Sequence, residues 1–169
     1  MKRTLLAAAA ALAAGTALAQ QPNPLDNVPE KMPFDVPYGA PVSLERAQAA
    51  IAAAVAESKK HDWKMNVAVV DSGGNLVAFQ RMDGAQIASI KIAEHKALAA
   101  AQFRRETKAF EAGIQNGLNY LITLDGVIGS RGGILLMEGG KLIGAIGCSG
   151  GTGSQDEVVC KAGAAAVNK

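Results

Sequence analysis

Aromatic residues are scarce: one Trp, two Tyr and four Phe, 4% of 169 residues. A core without many large rings is built from small side chains, and burial per residue is then thin. Closely packed subunits compensate for thin burial, so a homo-oligomer is expected. Two histidines and two cysteines, with no paired-histidine or C-x-x-C spacing, argue against a closed zinc site. Proline is absent after Pro41. Beyond residue 19 no apolar run approaches the ~20 residues that a bilayer core requires, so no membrane span is expected.

Residues 1–19 read as a signal peptide. Lys2 and Arg3 start it, residues 4–14 are almost wholly apolar, and Ala17-Leu18-Ala19 forms an A-x-A cleavage site before Gln20. A periplasmic or secreted protein follows, and no cysteine after the cleavage site suggests a lipid anchor. Losing Lys2 and Arg3 reduces 17 basic residues to 15, equal to the 15 acidic ones. A neutral chain gives no reason to expect nucleic acid or an anionic membrane as partner.

All six prolines lie between Pro22 and Pro41. They mark residues 20–41 as a Pro-rich extended arm ahead of one domain, residues 42–169. Export would place Cys148 and Cys160 where disulfides persist; from sequence, a bridge and two small buried thiols both remain open.

Ser43 is a good N-cap for an Ala-rich helix to about His61, with apolar residues at Leu44, Ala47, Ile51, Ala54 and Val55. Strands are expected at residues 65–71 and 76–82 around the Ser72-Gly73-Gly74-Asn75 turn. Helical spacing runs over residues 86–103, Thr107 is placed to cap a short helix through Asn116, and residues 118–130 are irregular. Strands at 134–138 and 141–147 flank Gly139-Gly140, and a last helix opens near Ser154. The order α-β-β-α-α-β-β-α has hairpins and no βαβ crossover, which predicts an α+β fold with an antiparallel sheet flanked by helices.

The run from Ser149 to Ser154 is nearly all small residues. Its glycines allow close backbone approach, and the helix start beyond would aim N–H groups at the same place, making Ser149, Gly150 and Gly151 a candidate cradle for a small anion. A structural turn and helix cap is the plain alternative. Gly147 to Gly151 also matches G-x-S-x-G, but both histidines precede Ser149, against the chain order of an α/β-hydrolase. A dinucleotide fingerprint fails as well, because a hairpin precedes the glycines and too little chain follows.

Arg81, Met82 and Asp83 end the first hairpin, and Lys96, Arg104 and Arg105 follow on the next helix or just after it; this junction suits an anionic ligand. Lys96 shares a mostly apolar stripe with Ser89, Ile92, Ala99 and Phe103, so it either meets a ligand or snorkels to solvent. His95 lies on a mixed stripe, as a surface histidine or an iron ligand. His61 reads as a helix C-terminal cap. Met82 has a thioether able to ligate haem iron, with core packing as its alternative.

Three ordered blocks, AVVDSGGNLVAFQRMDGA, IAEHKALAAAQFRRET and GGKLIGAIGCSGGTGSQDE, resemble the GlcG/HbpS family of haem-binding and haem-degrading proteins across the domain from Ser43 onward. The resemblance implies a profilin-like α/β fold, oligomeric assembly, haem or iron handling outside the cytoplasm, and kinship with the domain found beside PduO-type corrinoid adenosyltransferases. It would place haem iron on His95 or Met82 and the propionates on Arg81, Lys96 or Arg104. Two departures matter: Ala99 stands where family members often carry threonine, and the acidic E-x-x-E iron motif of some relatives has no counterpart. The expected function is an exported haem-binding protein, with oxidative haem degradation as the activity if it is an enzyme. The alternative is a non-catalytic accessory or sensor subunit binding a small carboxylate or corrinoid in the glycine cradle.

Overall fold

The computed structural model describes residues 26–169, so the expected signal peptide and the start of the arm lie outside the described residues. Residues 33–169 form one compact unit. Its elements are α1 (Leu44–Lys60), β1 (Asn66–Asp71), β2 (Leu76–Arg81), α2 (Ala88–Phe103), α3 (Lys108–Gln115), a 3-10 turn (Asn119–Thr123), β3 (Gly133–Glu138), β4 (Lys141–Ser149) and α4 (Gly153–Ala165). This is the α+β order that the hydrophobic pattern predicts.

Local chemistry explains most boundaries. The Ser43 side chain accepts from the Arg46 N–H and starts α1. Thr152 and Gln155 form a reciprocal capping box at the start of α4. The β3–β4 turn uses Gly139 and Gly140 at φ 53° and 74°, where other L-residues are strained. At the β1–β2 turn, Asp71 Oδ1 accepts from the N–H groups of Gly73 and Asn75. Thr107 departs from its expected role. Its hydroxyl makes no cap on α3 but accepts from the Gly133 N–H at 2.9 Å, tying the segment before α3 to β3.

The strands form one antiparallel sheet in the order β2-β1-β4-β3. Helices α1 and α4 cover one face through Ile51, Val67, Val69, Ile146 and Val159. Helix α2 covers the other with Ala93, Ala97, Ala100 and Ala101 against Ala68, Val70 and Ala145. Small residues let α2 sit very close: a Cβ on Gly147 would run into the Ala93 carbonyl and the Ala97 N–H, and one on its register partner Gly133 into the Lys96 carbonyl. The second half of the Pro-rich segment lies along the outer end of β4, where Pro37 O accepts from the Leu142 N–H at 2.8 Å and the Gly39 N–H donates to Leu142 O at 2.7 Å. The Arg105 guanidinium covers the Phe34 ring.

Cys148 on β4 and Cys160 on α4 are joined in a disulfide with Cα atoms 5.6 Å apart, and both are fully buried. The bridge fastens α4 to β4, one of the two inner strands of the sheet. The Cys148→Ala/Cys160→Ala variant is expected to lose about 3 kcal/mol, as loop closure of this length implies. In a thermal melt that corresponds to a fall of roughly 10 °C; an unchanged melt would show that packing alone holds α4.

Candidate functional site

The Gly-rich loop after β4 is organised around a carboxylate of the chain itself. Asp156, in the first turn of α4, accepts the N–H groups of Gly150 and Gly151 on Oδ1, each at 3.1 Å. Its Oδ2 accepts from Lys96 Nζ at 2.7 Å, and the two side chains are 3% and 1% exposed. Lys96 therefore reaches past Gly132 from the α2 layer to the α4 layer. Burial pushes the Asp156 carboxyl above its ordinary value, against the pull of Lys96 and of the two glycine N–H groups. Gly150 has no room for a side chain, because a Cβ would strike the Lys64 carbonyl.

Beside this loop, Trp63, Met65, Gln86 and Gln155 join Gly150 and Gly151 in a pocket of about 410 Å³. Ser149 is buried where the end of β4 pairs with Asn66. A second pocket, about 340 Å³, is walled by Val70, Leu76 and Leu98 and carries His95, Lys91 and Glu94. His95 Nε2 lies 3.1 Å from the Gly126 carbonyl oxygen. Lys91 is paired with Glu94 at 2.7 Å on the same helix face. A third pocket, about 390 Å³, holds Arg81 and Met82 together with Val55, Lys59, Lys64, Gln80 and Asp83.

The residues singled out in the sequence thus fall in separate places. Arg81 and Met82 share one pocket, His95 lines another, and Gly150 and Gly151 line a third. Lys96 is committed to Asp156. Arg104, in a left-handed conformation that ends α2, donates to the Val36 carbonyl at 3.0 Å. His95 and Lys96 are neighbours in sequence, yet helical rotation sends one to a surface pocket and the other to the interior. Asp156, Val70, Leu76, Leu98 and the lysines 59 and 64 were not among the expected site residues. Asp156 had a signal in the sequence, since a lysine on an apolar helix stripe calls for a carboxylate.

A second ionic group is saturated by its own members. Glu157, 6% exposed, meets Lys161 at 2.6 Å, Lys108 at 3.3 Å and Arg131 at 3.4 Å, and Arg131 also pairs with Glu111 at 2.6 Å. Burial raises the Glu157 carboxyl, but Lys161 and Lys108 outweigh it and hold the group below its ordinary value. This cluster pins the segment before β3 to α3 and α4. Among the described residues no group of three His, Cys, Asp or Glu is arranged to hold a metal ion, and no helix is long and apolar enough to cross a membrane.

Residues 42–165 match the family model of the haem-degrading protein HbpS-like group. The chain belongs to the HbpS-like family. Protein GlcG of Escherichia coli K12 is 41% identical over 108 residues, which span 64% of this chain and 81% of GlcG. A double mutant of Streptomyces reticuli HbpS superposes with a TM-score of 0.72 at 28% identity, covering 97% of this chain and 100% of that one. PduOC, solved as a haem complex, gives a TM-score of 0.69 at 28% identity, covering 76% and 96%. These HbpS-like relatives share the sheet and helix arrangement described above.

Proposed function

We propose that the protein is exported, binds haem in the His95 pocket and takes part in haem or iron handling. The observation that carries the placement is His95 itself: an imidazole in a pocket with an apolar wall of Val70, Leu76 and Leu98. A flat apolar cofactor needs such a wall, and haem iron needs a nitrogen donor. A carbonyl oxygen only accepts, so its contact with Nε2 assigns the proton to that nitrogen and leaves the lone pair on Nδ1. Lys91 lines the same pocket and would meet a propionate by exchanging its Glu94 partner, a role that Lys96 is too deeply buried to fill. The family's description as haem-degrading and the PduOC haem complex support the choice of cofactor. Bound haem would supply redox-active iron, the chemistry that oxidative haem breakdown requires. The leader sequence and the Cys148–Cys160 bridge support export.

Titration of haem into the wild-type chain is expected to give a saturable Soret band. His95→Ala should lose or shift that band, with recovery on adding free imidazole. An identical titration for the two proteins would remove His95 from the reading.

We further propose a homo-oligomer. Ile87 at 72%, Ile122 at 70% and Leu76 at 53% exposure present apolar surface beyond the small-residue core. Light scattering at micromolar concentration should report a mass well above one chain; a monomer would contradict it.

A further inference from the structure

We propose a second ligand site, separate from the His95 pocket, where the end of α1 meets the end of β2: a pocket for a small oxyanion, gripped by Arg81 and Lys59. Most cations of the described residues already have a partner; Lys31, Lys141 and Lys169 form no ion pair there but do not line this pocket. Lysines 60, 64, 91, 96, 108 and 161, and Arg46 and Arg131, each lie within ion-pair distance of a carboxylate. Arg104 and Arg105 are engaged with the proline-rich segment. Arg81 and Lys59 form no ion pair among the described residues, and both line the same pocket of about 390 Å³, joined there by Lys64. Like charges gathered in one concavity repel each other and raise the local affinity for an anion.

The chemistry of the pocket narrows the ligand. The planar Arg81 guanidinium suits the two oxygens of a carboxylate or phosphate group, with Lys59 adding a point charge. Val55 and Met82 give an apolar wall, which favours an oxyanion attached to a short carbon chain. Asp83 also lines the pocket and disfavours ligands carrying further negative charge. The C-terminal end of α1 lies nearby and its dipole opposes an anion. That opposition is blunted, because Ser58 O accepts from the His61 and Trp63 N–H groups and Lys59 O accepts from the Asp62 N–H.

The test is calorimetric titration of the whole mature chain at low salt with butyrate and, separately, inorganic phosphate, with haem titrated in parallel. One saturable site per chain is expected for at least one of the two anions, with NMR amide shifts in a parallel titration confined to the segments around Lys59 and Arg81. Butyrate binding alone identifies a carboxylate with its carbon tail as the ligand class; tighter binding of phosphate identifies the oxyanion head. Arg81→Gln should weaken the site about tenfold, as loss of a charge-assisted paired contact implies. No binding of either anion up to about 10 mM, or equal binding by Arg81→Gln, would overturn the proposal. Loss of the haem band in Arg81→Gln would place this pocket inside the haem site and overturn its separateness. Failure of haem to bind at all, with anion binding intact, would leave this site standing and sink the haem reading alone.

Discussion

Asp156→Ala is expected to lose about 3–5 kcal/mol of stability, the cost of stranding one member of a buried ion pair. Every group around the carboxylate is a donor: Lys96 Nζ on one oxygen, and the Gly150 and Gly151 N–H groups on the other. Alanine leaves an ammonium that is 1% exposed without a counter-charge and two N–H groups without their acceptor. Chemical denaturation should show the loss directly. Lys96→Met combined with Asp156→Leu should recover part of it, because apolar residues of similar size remove the stranded charge. A single variant as stable as the wild type would mean that water reaches Lys96 and that the pair does not join the two helical layers.

Gly147→Val is expected to be as severe, for a steric reason. The obstacles to its side chain are backbone atoms of α2, the Ala93 carbonyl and the Ala97 N–H, which no rotamer change can move. Helix α2 would have to lift from Ala68, Val70 and Ala145, giving up the core on that side of the sheet. Overpacking with backbone shifts typically costs about 1–3 kcal/mol, and a clash against fixed backbone lies at or above the top of that range. Circular dichroism on heating reads it. Gly139→Ala is a useful contrast: nothing lies within 4 Å of the added methyl, and the penalty is confined to the strain of a residue at φ 53°.

The element order was legible because each element carries a local signal. Ser43 caps α1, Gly139-Gly140 turns β3 into β4, and alternation or helical spacing fills the segments between. The site was legible only in pieces. His95 and Lys96 stand side by side in the sequence and invite a shared ligand, but the partner of Lys96 is 60 residues away on α4, a separation that no local pattern encodes. The glycine loop shows the same limit. Its composition suggests N–H groups turned toward a small anionic ligand, while only the fold reveals that Asp156 of the same chain accepts them. Thr107 reads as a helix cap by type and position, yet the approach of β3 turns its hydroxyl to Gly133. The pocket wall of Val70, Leu76 and Leu98 joins two strands and a helix, so it exists only after packing.

The central claim, that His95 holds haem iron, is tested most directly by the iron–ligand vibration of the reduced haem complex with its histidines labelled with ¹⁵N. The chain has only two histidines, so the same spectrum on His61→Ala assigns the label to one residue. An iron–nitrogen band that shifts on labelling and survives His61→Ala is the predicted result; a haem complex whose spectrum ignores the label would contradict it.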